Sequence, residues 1–370
     1  MKIAQIVSSI DPHRGGKERY VGDLINELVK LGHEVTLITC DQKYKADINY
    51  DIRYVRKLTL PSGLEIPSFK DLIKQLDSRF DVCHLHYHAI FGEMVALANK
   101  MHNSILITTI HDEMKRGIHK IIYDKVLLKT ISNLSHRIVC LTEGMKKELA
   151  RRGLDERKII VISNVLYVKK LQNEFSKLKK DVYVDGDFHL LFVGRLEKRK
   201  GIQHLLRALL ILKEENFKPT IKIVGEGVLK QKLISFVQKN NLSSQVVFTG
   251  YISRKELLKY YHRARCVVIP SIYEGTPNRV AIEALALGNP VIITSIPGNE
   301  PIISKRLGFI GSPRNPESLA RAIRNALSIK SDELYRIKVE GEKFAEQYDW
   351  SHVITKIVLL YQNTLKEKYL

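Results

Sequence analysis

The sequence predicts an α/β protein built from two parallel sheets, each covered by helices on both faces. Three observations predict it. Short apolar β-type runs alternate with amphipathic helical patterns through both halves of the chain. At 370 residues and 44% hydrophobic, the chain carries enough apolar material for two ordinary cores. No apolar run approaches the length needed to cross a bilayer.

The amino terminus, MKIAQIVSSI, carries one lysine and a short apolar run that ends at Asp11-Pro12. It reads as a first buried strand rather than a signal peptide. Further strand-like runs follow at Glu34–Thr39, Asp81–His86, Ile105–Ile110, Arg137–Leu141 and Ile159–Ile162. Between the first two lies a helix whose Val21, Leu24, Ile25, Leu28 and Leu31 repeat at helical spacing, closed by Gly32. The second half repeats the plan with strands at Leu190–Val193, Ile221–Val224, Val246–Thr249, Cys266–Ile269 and Val291–Thr294. Its first helix places Ile202, Leu205, Leu206, Leu209 and Leu210 on one face, and Val353, Ile354, Ile357, Val358 and Tyr361 form a last one. The lysine-rich stretch from Lys169 to Lys180 reads as an interdomain connection that carries a short charged helix. The expected division is therefore a first domain over residues 1–168, a linker over 169–187 and a second domain over 188–349.

Lys and Arg number 60 against 40 Asp and Glu, a net charge of +20. Such a surface attracts a nucleotide diphosphate, an anionic membrane or nucleic acid, and is also what a plain lysine-rich solvated surface looks like. No nucleic-acid module motif is present and the aromatics are not interleaved with the basic residues, so no nucleic-acid partner is expected. Cys40, Cys83, Cys140 and Cys266 lie far apart without ligand spacing. They read as reduced, packed thiols in a cytoplasmic protein.

Chemistry concentrates in a few loops. In PSIYEGTPNRVAIEALALGNP, from Pro270 to Pro290, a strand feeds a loop holding Glu274, Gly275, Thr276 and Pro277. A helix with Val280, Ala284 and Leu287 on one face follows, carries Glu283 and stops at Gly288. Helix-entry amides hold negative charge and carboxylates accept sugar hydroxyls, so this segment suits an anionic, polyhydroxylated ligand. In FVGRLEKRKG, from Phe192 to Gly201, a strand ends at Gly194, and Arg195 and Lys200 lead into a helix. Two cations beside a helix amino terminus suit a diphosphate, and a solvated basic turn has the same composition. Gly15-Gly16 opens the first helix and permits close backbone approach to a phosphate. His84, His86 and His88 repeat with a period of two, which puts them on one side of a strand end, and His111 follows the next strand. No carboxylate lies at useful spacing, so polar lining or acceptor contact is expected there rather than metal. Asp185-Gly186-Asp187 reads as a turn. From Glu113 to His136, Ile118, Ile121, Ile122, Leu128 and Ile131 alternate with lysines and arginine, as in a membrane-surface helix or a surface helix packed on the sheet.

Taken together, these segments resemble the retaining glycosyltransferases of family 4, whose GT-B fold sets two Rossmann-like doubly wound domains facing across a cleft. The GG turn is followed by a helix ending in Gly32-His33-Glu34-Val35, similar to the family's GHEV-like sequence. The family motif GR(L)xxxKG is matched at its fixed positions by Gly194, Arg195, Lys200 and Gly201. The EG and EALALGNPV segments match as well. The resemblance implies that Arg195 and Lys200 neutralise a leaving diphosphate, that Glu274 holds hydroxyls of the transferred sugar and Glu283 the ribose, and that His111 touches that sugar. It places Gly15, Gly16, Gly194, Gly275, Thr276 and Pro277 around the donor, and the acceptor contact read from the histidine repeat falls to His86 and His88. It also implies that a final helix over 350–370, introduced by Trp350, crosses back onto the first domain. Two departures stand out. Eight residues separate Glu274 from Glu283 where the family has seven, and Ser163-Asn164-Val165 replaces PNGVD.

The expected activity is metal-independent transfer of a hexosyl unit, with retention, from a UDP- or GDP-sugar to a glycan or lipid-linked acceptor. The donor is a substrate, and neither cofactor nor metal is expected. An enzyme resting peripherally on the inner face of the membrane fits the charge. The alternatives are a catalytically silent nucleotide-sugar or membrane-surface binding module, and a GT-B nucleotide-sugar 2-epimerase.

Overall fold

A computed structural model of the chain describes residues 1–10, 16–41, 50–59, 65–77, 79–111, 123–163, 165–179, 188–273 and 278–369. The chain divides into two units, Met1–Val165 with Trp350–Leu370, and Leu166–Asp349.

Along the first unit run β1 (Lys2–Val7), β2 (Glu34–Thr39), β3 (Asp51–Tyr54), β4 (Lys57–Thr59), β5 (Glu65–Pro67), β6 (Val82–His86), β7 (Ile105–Thr109), β8 (Arg137–Cys140) and β9 (Ile159–Val161). β4 and β5 pair antiparallel, and the others form one seven-stranded parallel sheet in the order β3-β2-β1-β6-β7-β8-β9. One face buries Ala4, Ile6, Ile38, Cys83, Leu85 and Leu106 under helices that include Phe69–Gln75 and Phe91–Asn99. The opposite face is partly polar. It presents Gln5, His84, His86 and Thr109 beneath the helix Gly16–Lys30 and the last helix, Trp350–Tyr369.

Sequence periodicity explains how those two helices sit. Val21, Leu24, Ile25 and Leu28 are fully buried, each stabilising by roughly 1.5–3 kcal/mol relative to exposure. The chain then leaves the helix through a Schellman turn, in which Gly32 N–H donates to Val29 O and His33 N–H to Leu28 O. Leu31 sits at that exit and is 55% exposed, so the buried stripe ends at Leu28, one turn short of what the spacing suggested. In the last helix Trp350, Val353, Ile354, Ile357 and Tyr361 are buried within the first unit, whereas Val358 is only partly covered.

The second unit holds β10 (Phe188–Val193), β11 (Ile221–Val224), β12 (Val246–Gly250), β13 (Ala264–Ile269), β14 (Val291–Thr294) and β15 (Gly308–Gly311). All pair in parallel in the order β12-β11-β10-β13-β14-β15. Here both faces are apolar, as a doubly covered parallel sheet requires. Leu191, Val267, Ile269, Val291 and Ile293 pack one way, and Leu190, Phe192, Cys266, Val268 and Ile292 the other.

Two expectations change. Residues 169–179 are not a linker: Val168–Lys179 is a helix of the second unit that buries Val168, Leu171 and Phe175. The lysines at 169, 170 and 177 lie on its exposed side and masked this stripe in the composition. The rest of the expected linker, including Asp185-Gly186-Asp187, lies outside the described residues, as does Asn164. In the basic segment, Leu128 and Ile131 are fully buried, so the apolar side of its described part packs inward; Ile118, Ile121 and Ile122 lie outside the described residues. Strands β3, β4, β5 and β15 were not anticipated. All four cysteines are buried and outside any disulfide, with burial pushing the Cys83, Cys140 and Cys266 thiols up to about 12. Among the described residues no helix is long and apolar enough to cross a membrane.

Candidate active site

In an open parallel sheet, ligands bind beyond the carboxyl ends of the strands where the strand order reverses. In the second unit that point lies between β10 and β13, which continue into the loops at Gly194 and Pro270. Two glycines hold this junction together. Gly201 adopts a left-handed φ of 70°, and a Cβ there would stand 1.7 Å from the Pro270 carbonyl oxygen. Only a residue without a side chain allows the helix Ile202–Glu214 to begin against the end of β13. At Gly225 (φ 133°) a Cβ would meet the Gly194 oxygen at 2.1 Å, so the loop after β11 closes on the same spot. Hydrogen bonds join the pieces: Ile272 N–H donates to Arg199 O at 2.8 Å, and the Thr294 hydroxyl donates to Ser271 O at 2.5 Å.

The cations stand at this junction. Arg195 is well exposed and pairs with Glu197 at 3.0 Å, and the other oxygen of Glu197 takes Arg199 at 3.1 Å. Lys200 is half-buried directly before the helix, whose opening amides have no intrahelical acceptor. Gly194 and Arg195 thus follow the end of β10, and Lys200 precedes the helix that begins against the end of its neighbour β13. The role of Glu197, clamped between two arginines, had no signal in the motif.

Glu283 lies in the helix Arg279–Ala286, which Asn278 caps by accepting from Val280 N–H at 2.9 Å. Its carboxylate is largely covered and accepts from Arg279 Nε at 3.3 Å and from the Tyr261 hydroxyl at 3.4 Å. Burial first, then Glu283, keeps the Tyr261 phenol protonated, with its pKa well above the ordinary value. Each oxygen retains a lone pair for a further hydroxyl donor. Glu274, Gly275, Thr276 and Pro277 lie outside the described residues, as does Gly15, and Gly16 opens the first helix.

In the first unit the strand order reverses between β1 and β6, and a buried polar group occupies that end of the sheet. His86 Nδ1 lies 3.0 Å from His111 Nε2, and its Nε2 lies 2.8 Å from Gln5 Oε1. Gln5 Nε2 donates to the Tyr361 hydroxyl at 3.2 Å, which meets His84 Nδ1 at 2.6 Å; His84 Nε2 meets Thr109 Oγ1 at 2.7 Å. Tyr20 lies edge-on to His86 and His111 and stacks on Trp350 at 5.6 Å. Burial, then the charge of Lys17, lowers His111 to about 3, and burial alone does the same for His84. His86 falls well below its ordinary value through burial, then His84, His111 and Lys17. All three imidazoles are neutral at pH 7. His88 does not join them: β6 ends at His86, and His88 is exposed in the loop beyond, so the period of two fails with the strand. Among the described residues no cluster of His, Cys, Asp or Glu is arranged to hold a metal ion.

A cleft of about 270 Å³ on the first unit lies elsewhere, between Ser135–Arg137 at the start of β8 and the end of the last helix. Its cations are already committed: Lys158 donates to the Ser132 and Ser135 carbonyls, Lys368 to Asn103 O, and Arg137 pairs with Glu367.

Two family profiles divide the chain along similar lines. The pattern for glycosyl transferases group 1 matches residues 173–343, and that for glycosyltransferase family 4 matches residues 14–168. The chain belongs to the family 4, group 1 glycosyltransferases. An uncharacterized glycosyltransferase of Methanocaldococcus jannaschii is 27% identical over 391 residues, covering 98% of each chain. A glycosyltransferase structure from Rickettsia africae superimposes with a TM-score of 0.78 at 21% identity, covering 99% of this chain and 98% of that one. The Anabaena protein HepE, solved in complex with UDP, superimposes with a TM-score of 0.76 at 18% identity over 98% of this chain and all (100%) of that one. The glycosyltransferase therefore has the GT-B fold.

Proposed function

We propose that this glycosyltransferase moves a hexosyl unit from a nucleotide-diphosphate sugar to a glycan or lipid-linked acceptor, retaining the anomeric configuration. The observation that carries the reading is the junction at Gly201, where the loop holding Arg195 and Lys200 enters a helix amino terminus against the neighbouring ends of β10 and β13. That arrangement suits a diphosphate as leaving group: the guanidinium chelates oxygens, the ammonium adds a point charge, and amide dipoles face the anion. HepE, of the same fold, was solved with UDP, which supports a nucleotide-diphosphate ligand.

In the proposed reaction the bond between the sugar's anomeric carbon and the diphosphate oxygen breaks, and its electron pair leaves on the phosphate. The acceptor hydroxyl attacks from the same face and passes its proton to the departing phosphate oxygen. Arg195 and Lys200 meet the developing charge, and no step is assigned to a metal. Glu283 holds ribose hydroxyls, Glu274 hydroxyls of the transferred sugar, and His111 a further hydroxyl of that sugar. Assays of UDP- and GDP-sugars with glycan and lipid-linked acceptors, with and without chelator, test this. The expected result is chelator-insensitive transfer to give a product of unchanged anomeric configuration by NMR. Inverted product or chelator-abolished activity would overturn the mechanism, and binding without turnover on any acceptor would favour the silent module.

A further inference from the structure

The buried polar line in the first unit has a direction. Gln5 turns its amide nitrogen to Tyr361 and its oxygen to His86. A carbonyl oxygen only accepts, so His86 must carry its proton on Nε2. Its Nδ1 is then a lone pair and accepts from His111, which places the His111 proton on Nε2. At the other end Tyr361, receiving the Gln5 amide, gives its own proton to His84 Nδ1, and His84 gives Nε2–H to Thr109. Each ring N–H along this chain then meets an acceptor. Among the described residues no hydrogen bond reaches His111 Nδ1, and the residue as a whole keeps 6% of its surface exposed. The cation of Lys17 nearby further disfavours a second proton.

We infer that Gln5, His86 and Tyr361 are positioning residues that fix His111 as one tautomer, protonated on Nε2, so that its Nδ1 accepts a hydroxyl of the transferred sugar. The sugar contact rests on the reading of function given above; the tautomer does not. Burial explains why the device suits this place. A neutral imidazole free to exchange tautomers would present a donor or an acceptor by turns, whereas a directed chain presents one of them.

Nitrogen NMR of the full chain labelled at histidine tests the tautomer without any substrate. The expected spectrum shows His86 and His111 protonated on Nε2 and unprotonated on Nδ1, assigned with His111→Gln and His84→Gln. A His111 protonated on Nδ1, or an even mixture, would overturn the inference. Tyr361→Phe removes the partner that holds the Gln5 amide in place. The expected outcome is a tautomer mixture at His111 and a roughly 5–20-fold loss in kcat, with nucleotide affinity unchanged because the diphosphate contacts are untouched. Gln5→Met supplies the same readout should Tyr361→Phe fold poorly. An unmoved spectrum in both folded variants would contradict the positioning role. If the wild-type spectrum is as expected but His111→Gln turns over normally, the tautomer stands and the sugar contact falls.

Discussion

At the scale of single residues, charge is held in two contrasting ways. In the proposed site Glu197 would compete for Arg195 with a diphosphate, since the two are 3.0 Å apart and Arg195 is exposed. Such a pair contributes about 0.2–1 kcal/mol. Glu197→Gln should therefore tighten UDP or GDP binding by about 2–5-fold, whereas Arg195→Ala should lower kcat/KM by about 100–1,000-fold, the usual cost of a lost transition-state donor. Unchanged turnover in Arg195→Ala would remove it from the site. The histidines hold charge off instead. His84, His86 and His111 are lowered in the folded chain, so between pH 6.5 and about 3 the unfolded chain binds more protons than the folded one. Their contribution is present above pH 6.5 and is lost as pH falls, with a slope of about 1.4 kcal/mol per pH unit for each histidine. Urea midpoints measured from pH 7 to pH 5 should fall steadily, and His84→Gln should shallow that slope. A flat profile would contradict the buried neutral cluster.

At the scale of elements, tight backbone contacts decide what can be replaced. Gly201→Ala combines a positive φ with a Cβ inside the Pro270 carbonyl, so it should cost about 2 kcal/mol or more and loosen nucleotide binding. A variant of full stability by calorimetry would show that the two loops are not locked. Strands covered on both faces were legible in the sequence: Glu34–Thr39, Ile221–Val224 and Val291–Thr294 occur with the bounds their apolar runs suggest. β3 and β15 were not, because they are the sheet edges, half-exposed, and Gly308–Gly311 begins and ends in glycine. The helix Val168–Lys179 was legible only as a charged one in the connection, because its lysines lie outside and hide the narrow stripe that packs it into the second unit. Motifs gave away Gly194, Arg195 and Lys200, which neighbour one another in the chain. Gln5 and Tyr361, 356 positions apart, carry no local signal for their meeting.

On the scale of the whole molecule, the last helix belongs to the unit where the chain began. Trp350, the single tryptophan, stacks on Tyr20 within that unit, so its fluorescence reports the unfolding of the first unit. Ile357→Ala leaves a cavity under the helix and should lower the tryptophan-detected transition by about 2–5 kcal/mol. The enzyme need not unfold in one step, so probes specific to each unit are required. A tryptophan transition that stays in place would mean the helix contributes little to the first unit.

On the proposed function, the loop at Gly194–Gly201 binds a nucleoside diphosphate. Calorimetric titration of UDP, GDP and ADP into the wild-type enzyme and Lys200→Ala tests it most directly. One nucleotide binding at a single site, weakened at least about tenfold in the folded variant, is the predicted result. Equal affinity in both proteins, or no binding of any of the three, would contradict it.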